Sequence, residues 1–265
     1  AVSMALNRKD INDKVYYGRA KAMQATVPPT NKEYKDEYGE AFAEYDPETA
    51  KALLDEMGMV DKDGDGYRER PDGKKFSPTL LYCKVGPVEP TSILELVRSD
   101  LEDVGLDINL KMVSRELKNQ RAASGNFDIS GWTVDGIAGS SFGNVWHMTK
   151  AFGPADGAVH NPYPGYVNWY KTDGEEGMEP TAQMEELNEA LNTVSYSANE
   201  EERKEAGQKL LEAQAENLWV IGTVGLGPQP IIASNKLKNI AKKGVWDWNF
   251  RYMRPMYPIQ FYLEE

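Results

Sequence analysis

The sequence contains very little cysteine and histidine. Among its 265 residues there is one cysteine, Cys83, and there are two histidines, His147 and His160. A single cysteine excludes an internal disulfide and any cysteine-rich metal site, and neither histidine stands at a spacing typical of a metal ligand or a catalytic group. Cys83 lies within the apolar run FSPTLLYCKV (76–85), so we expect a buried structural thiol.

Long apolar runs and basic clusters are also missing. No run approaches the roughly 20 apolar residues that a helix needs to span a bilayer. Lys and Arg number 30 against 42 Asp and Glu, a formal net charge of −12, so nucleic acid and anionic membrane surfaces are poor partners. The first residues show no signal-peptide pattern, and the opening AVSMALNRKDIN looks like the middle of a helix. We therefore expect a fragment or a processed piece.

Recognisable catalytic motifs are absent as well. Ser140 and Ser141 have no neighbouring His or Lys in a nucleophile motif. No two acids stand in a recognisable catalytic context, and no glycine-rich phosphate loop is present. We therefore predict that the protein is not an enzyme and has no cofactor.

What the chain does contain is a regular alternation of helical and strand patterns. Strand-forming residues predict strands at 76–85, 106–113 and 127–134, and amphipathic patterns predict helices at 93–106 and 114–125. Strands that alternate with helices favour parallel neighbours in an α/β sheet. The chain has 40% apolar and 10% aromatic residues, which is typical of a globular protein.

Further segments surround this unit. Helical patterns predict helices at 2–17, about 180–195 and 199–217, and an apolar run predicts a buried strand at 218–227. Gly, Pro, Asn and aromatic residues dominate residues 135–180. A loop region of this length inside a compact domain is usually functional.

The segment DKDGDGYRERPD (61–72) resembles a calcium-binding loop in the spacing of its acidic residues. The candidate metal ligands are Asp61, Asp63, Asp65 and Asp72, at the first, third, fifth and twelfth places. Against calcium, Arg68 occupies the eighth place and Pro71 prevents a following helix. DGDG and PDG are also natural turn sequences. A turn without metal is the favoured interpretation, and calcium is the alternative.

Several phrases, in their order along the chain, resemble the solute-binding proteins of bacterial ABC importers, family 5, which include dipeptide and oligopeptide receptors. They are ALNRKDINDKVYYGRA, YDPETAKALLDEMGMVDKDGDGYRERPDGKKF, LEDVGLDINLKMV, GNFDISGWTVD and EEERKEAGQKLLEAQAENLWVIG. The resemblance implies an α/β chain that forms the C-terminal lobe of a periplasmic-binding-protein-like clamshell fold of class II.

The resemblance also implies a division of the chain and a set of partners. Residues 1–222 are expected to form the ligand-binding lobe, and residues 223–265 a return segment that packs against an N-terminal lobe absent from this chain. The partners would be a small-molecule or peptide ligand and the subunits of an ABC permease. The location would be extracytoplasmic, either periplasmic or lipid-anchored at the outer face of the cytoplasmic membrane.

The candidate ligand-binding residues lie where a strand gives way to the aromatic-rich loop. In open α/β sheets ligands bind beyond the carboxyl ends of the strands, so we expect Trp132 and Asp135 beside the cleft. The resemblance implies that an Asp three residues after this Trp holds the α-amino group of a peptide. The relatives continue with an aromatic and a Pro-containing run, whereas this chain continues GIAGSSFG. Trp146 and Trp169 either line the ligand site or pack in the core.

The primary hypothesis is therefore a non-enzymatic binding component that captures a peptide or an oligosaccharide for an ABC importer. A calcium-dependent interaction module built on residues 61–72 is one alternative. A carbohydrate-active hydrolase is the other, and it would need two carboxylates in one pocket.

Overall fold

The computed structural model describes residues 1–85, 90–133, 164–228, 232–242 and 258–264. In these ranges the helices are α1 (Val2–Ala5), α2 (Arg8–Tyr16), α3 (Asp36–Glu40), α4 (Pro47–Glu56), α5 (Thr91–Glu102), α6 (Arg115–Ala123), α7 (Pro164–Lys171), α8 (Ala182–Tyr196) and α9 (Glu200–Asn217), with a 3-10 turn at Pro258–Gln260. The strands are β1 (Lys21–Ala22), β2 (Thr79–Tyr82), β3 (Asn109–Met112), β4 (Ile129–Ser130), β5 (Val224–Gly225), β6 (Leu237–Lys238) and β7 (Tyr262–Leu263).

A three-stranded parallel sheet organises the first half of the chain. Strand β2 lies in the middle, and Leu80 pairs with Leu110 of β3 and with Ile129 of β4. Helix α5 connects β2 to β3, and α6 connects β3 to β4. This arrangement confirms the predicted α/β sheet. Because the two connections cross the sheet in opposite directions, right-handed crossovers place α5 and α6 on opposite faces.

The larger core lies on the face of the sheet that α5 covers. Alternation along β2 directs Leu80 and Tyr82 to this face and Leu81 to the other. Helices α1, α4 and α5 pack over it, and the buried members of the cluster are Met4, Ala5, Leu6, Ile11, Ala50, Leu54, Met59, Leu80, Tyr82, Val97, Leu101, Val104, Leu106 and Ile108. Burying a side chain such as Leu or Ile favours folding by about 1.5–3 kcal/mol. This cluster therefore fixes the position of the sheet against the N-terminal helices.

The N-terminal segment forms two helices instead of the single helix predicted at 2–17. Leu6 has an extended backbone, and the Asn7 side chain starts α2 by accepting from Asp10 N at 3.0 Å. The buried Arg8 guanidinium donates back to Ser3 O at 2.8 Å and to Ser3 Oγ at 2.7 Å. These side-chain bonds use backbone groups that a continuous helix would pair internally, so the chain breaks between α1 and α2.

The predicted strand at 218–227 is wrong for most of its length. Only β5 is a strand, and it pairs antiparallel with β1. Upstream, the Gln214 side chain donates to Val220 O at 2.6 Å, and Gly222 N donates to Gln24 Oε1 at 3.0 Å. Side chains thus satisfy backbone groups that a sheet ladder would have paired. Strand β5 begins just after residue 222, where the sequence predicted the boundary between the ligand-binding lobe and the return segment. That division of the chain stays a prediction.

Helices α8 and α9 form a second packed unit. Thr181 and Asn199 cap their N-termini, each accepting a backbone N–H with its side-chain oxygen. The buried residues between the two helices are Met184, Leu187, Ala190, Leu191, Val194, Leu210 and Ala213. In the part of the chain that the structure describes, no helix is both long and apolar enough to cross a bilayer.

Candidate functional site

A shallow depression lies at the carboxyl ends of β2 and β3. It is lined by Cys83, Lys84, Met112, Val113, Ser114 and Arg115. Strand order reverses around β2, since β3 lies on one side of it and β4 on the other. Open α/β sheets bind ligands at such a reversal, beyond the carboxyl ends of the strands. The depression is therefore the candidate ligand site.

Helix α6 brings two cations to this edge of the sheet. Ser114 caps the helix, its Oγ accepting from Leu117 N at 3.2 Å. Arg115 and Lys118 follow at helical spacing and so face the same way. The Arg115 guanidinium carbon lies 5.3 Å from the centroid of the Trp132 ring, and Lys118 Nζ lies 4.7 Å from it. Both contacts have cation–π geometry.

Lys118 is the unusual group of the site. The residue is only 1% exposed, and its Nζ has no hydrogen-bond partner among the described residues. The pKa of Lys118 is lowered from 10.5 to about 8, chiefly by burial; Cys83 opposes this change and the neighbouring Arg115 adds to it. A buried ammonium without a hydrogen bond costs free energy.

Cys83 lies beside these cations at the end of β2. It is buried and free, as the sequence predicted. Burial raises the pKa of the Cys83 thiol, while Lys118 and Arg115 partly oppose this rise. A thiol with a raised pKa is a weak nucleophile, which agrees with a structural role.

The four predicted ligand-binding residues fall in different places. Trp132 follows β4 at the carboxyl edge of the sheet, as expected, and it is half-buried. Asp135 and Trp146 lie outside the described residues. Trp169 lies on α7, where its carbonyl accepts from Gly174 N at 3.0 Å and its ring lies beside Gly174. The ligand-binding role of all four stays a prediction.

Arg115 and Lys118 were not among the site residues predicted from the sequence. The sequence predicted a helix at 114–125 and no site residue on it. In the structure Leu117 is 38% exposed, whereas Lys118 and Ala122 are buried. The four-residue spacing of Lys118 and Ala122 was the available signal, since both positions share one face of a helix.

The acidic loop brings together a different set of carboxylates from the one predicted. Ligand oxygens of Asp61, Asp63, Asp65 and Glu69 lie within 4.8 Å of one another, so this group could hold a metal ion. The prediction of Asp72 as the twelfth-place ligand needs correction. Asp72 is not in the group, and its carboxylate pairs with Arg70 Nη2 at 3.0 Å. Glu69 takes part instead, because its backbone bridges to Val60 and turns its side chain back over the loop.

Backbone amides already engage most of these oxygens. Asp61 accepts from Gly64 N at 2.7 Å and from Gly66 N at 3.0 Å. Asp65 accepts from Tyr67 N at 2.8 Å. Gly64 and Gly66 have φ of +80° and +92°, where glycine carries no steric cost. These features are those of a self-supporting turn.

Comparison with known proteins gives a consistent set of relatives. The family model of bacterial extracellular solute-binding proteins, family 5, matches residues 1–153. The oligopeptide-binding protein AppA of Bacillus subtilis (strain 168) is 28% identical over 138 residues, which are 51% of this chain and 25% of the relative. A periplasmic alpha-galactoside-binding protein of Rhizobium meliloti (strain 1021) is 24% identical over 245 residues, 91% of this chain and 33% of the relative.

Solved structures agree with this result. An oligopeptide-binding protein, OppA, superposes with a TM-score of 0.81 at 28% identity, covering 100% of this chain and 42% of that one. The periplasmic binding protein MelB of Agrobacterium fabrum C58, in complex with stachyose, superposes with a TM-score of 0.65 at 20% identity, over 84% of this chain and 32% of that one. At 20% identity the likeness shows the fold alone. The chain thus spans between a quarter and less than half of the length of these proteins.

Proposed function

Because the chain belongs to the bacterial extracellular solute-binding proteins of family 5, we propose that it forms one lobe of a receptor for an ABC importer. The receptor captures a peptide or an oligosaccharide outside the cytoplasmic membrane and delivers it to the permease. A second, N-terminal lobe closes over the ligand. The protein binds its ligand and performs no chemistry on it.

The family match over residues 1–153 carries this proposal. The geometry supports it, since those residues include the parallel sheet and the depression at its carboxyl edge. Such an open surface buries only part of a ligand, whereas ligand sites usually enclose most of the ligand surface. A clamshell meets this need by supplying the remaining contacts from its other lobe.

The ligand contacts are proposed to come from the strand end and the following segment. Trp132 offers an aromatic face beside the depression, and aromatic faces serve both sugar rings and peptide side chains. Asp135, three residues later, is proposed to bind the amino group of a peptide ligand. Trp146 and Trp169 are the further aromatic candidates. An oligopeptide-binding protein and an alpha-galactoside-binding protein are both among the relatives, so both ligand classes are to be tested.

The acidic loop is proposed to act as a structural turn without a resident metal. Its carboxylates accept backbone N–H groups of the loop itself. Lys75 Nζ lies 3.7 Å from Asp65 Oδ2 and supplies part of the balancing charge. Calcium prefers about 6–8 oxygen ligands, and Asp72 is turned towards Arg70.

The test of the receptor function is calorimetric titration of the full-length gene product with panels of oligopeptides and of α-galactosides. One panel is expected to contain ligands that bind. Trp132→Ala is expected to weaken the binding of these ligands by roughly 2 kcal/mol or more, as at buried aromatic contacts. Asp135→Asn is expected to weaken the binding of peptides that bear a free amino group and to leave the binding of neutral sugars unchanged.

Two exposed positions provide matched controls for this test. Tyr196→Ala removes an aromatic ring that is 84% exposed at the end of α8, and Asp103→Asn removes an exposed carboxylate after α5. Both are expected to bind like the parent. If Trp132→Ala and Asp135→Asn also bind like the parent while remaining folded, the ligand site lies elsewhere.

A further inference from the structure

Among the described residues, those at the carboxyl edge of the sheet are mainly cationic, although the chain as a whole has a net charge of −12. Lys84 and Arg115 line the depression. The described acid on the same turn is Glu116, which keeps its negative charge because its own backbone N–H, the Ser114 hydroxyl and Arg115 lower its pKa. This one carboxylate is outnumbered by the described cations at the depression, Lys84 and Arg115. The depression is therefore a local cationic surface in an acidic protein.

Lys118 adds a third positive charge behind this surface. It is buried, it lies close enough to Cys83 and Arg115 for their charges to interact, and its ammonium contacts the Trp132 ring. Among the described residues no carboxylate pairs with it and no acceptor bonds its Nζ. A methionine would fill the same space without the cost of a buried charge. An anion bound beside the depression would offset that cost, because opposite charges attract strongly where water is excluded.

We propose that the depression binds a carboxylate group of the ligand, with Arg115 as the direct donor and Lys118 as a positioning residue. Arg115 is exposed at the first turn of α6, and its planar guanidinium matches a carboxylate with two parallel hydrogen bonds. Lys118 holds Trp132 beside Arg115 and adds positive charge from within the protein. This inference rests on the proposed receptor function and narrows it to acidic ligands.

A ligand carboxylate has two sources in the proposed ligand classes. It belongs to an acidic peptide or to an oligosaccharide that contains a uronic acid. Four probes separate these sources and isolate the charge. The peptide pair is a tripeptide with a central Glu and the same tripeptide with Gln, both amidated at the C-terminus. The sugar pair is trigalacturonate and neutral galactotriose.

The experiment is calorimetric titration of the full-length gene product and its variants with all four probes. In one pair, the acidic member is expected to bind about 10- to 100-fold more tightly than the neutral member, the range of a charge-assisted hydrogen bond. Arg115→Gln is expected to remove this preference and to leave the affinity for the neutral member unchanged. Lys118→Met is expected to reduce the preference by a smaller factor, roughly threefold to tenfold, because its charge acts through space.

Arg121→Gln is the matched control. It removes the same charge from the last turn of α6, at the far end of the helix from the depression, and is expected to keep the preference. Equal binding of both members of each pair, or equal losses for both members in Arg115→Gln, would overturn the carboxylate site while leaving the receptor function standing. If none of the four probes binds although the oligopeptide or α-galactoside panel contains a ligand, the carboxylate site is overturned and the receptor function stands.

Discussion

Lys118→Met is expected to raise the free energy of unfolding at pH 7. Folding lowers the pKa of Lys118 from 10.5 to about 8, chiefly through burial. Each tenfold change in proton affinity corresponds to about 1.4 kcal/mol, so holding this lysine charged in the folded state costs about 3 kcal/mol. Methionine keeps the unbranched apolar stem and removes the charge.

A smaller effect opposes this gain. The ammonium lies 4.7 Å from the Trp132 ring centroid, and a cation–π contact contributes about 0.5–2 kcal/mol, depending on how far it is desolvated. The burial cost is larger than this contribution. The expected net stabilisation is therefore about 1–2 kcal/mol, which corresponds to a rise in Tm of roughly 2–8 °C for a chain of this size.

The pH dependence follows from which state holds the proton. Below pH 8 both the folded and the unfolded protein keep Lys118 protonated, so the methionine variant has its full advantage. Between about pH 8 and pH 10.5 the folded protein releases the proton and the unfolded protein retains it, so the parent gains stability relative to the variant as the pH rises. Above pH 10.5 the lysine is neutral in both states and the advantage disappears. Two groups close to Lys118 interact with its charge, the Arg115 guanidinium and the Cys83 thiol, and burial raises the pKa of that thiol.

The assay is urea denaturation of the parent and the variant at pH 7, 8, 9 and 10, with Cys83→Ala in both to remove the thiol. Lys111→Met, which removes an exposed lysine from β3, is the matched control and should show no such convergence with pH. The reasoning is refuted if Lys118→Met destabilises the protein at pH 7. It is also refuted if the difference between parent and variant is the same at pH 7 and pH 10.

Two further predictions concern the packing at residue 222 and the acidic loop. In Gly222→Ala the new Cβ would overlap the backbone of Gln24 and Ala25, so a loss of at least about 2 kcal/mol of unfolding free energy is expected by denaturation. Gly227→Ala, whose Cβ would meet only the Tyr16 ring at 3.5 Å and the Ala20 Cβ at 3.9 Å, should be nearly neutral; equal losses would show that the close backbone approach is not the cause. Millimolar calcium should leave the Tm unchanged in thermal denaturation, since the loop satisfies its own carboxylates. A reproducible rise that Asp63→Ala abolishes would show that calcium does occupy the loop.

The arrangement of the parallel sheet was predictable because its signals are local. Strand-forming residues around Leu80, Leu110 and Ile129 alternate with helices, and such helical crossovers join parallel neighbours. The sequence also predicted the burial of Cys83 from its apolar surroundings. Strand ends were less predictable: β4 has two residues, whereas the pattern extends over 127–134, because the length of a ladder depends on backbone pairing and not on local propensity.

Elements that depend on distant side chains could not be predicted. The break between α1 and α2 depends on Arg8, whose guanidinium also donates to Gly222 O at 3.0 Å, across 214 residues of sequence. Most of the apolar run after α9 is not a strand, because the side chains of Gln24 and Gln214 form hydrogen bonds with its backbone. Local propensity contains no information about partners so far away in the chain.

The sequence by itself determined the α/β class, the family and the edge of the sheet at which Trp132 lies, because these follow from periodicity, strand order and ordered motifs. Only the tertiary structure decided which charges act at that edge. Helix α6 turns Lys118 inward and Leu117 outward, since its rotation is set by packing against the sheet and not by the polarity of each residue. The acidic loop shows the same limit: its spacing pointed to Asp72, but the backbone bridge at Glu69 places that carboxylate in the group instead.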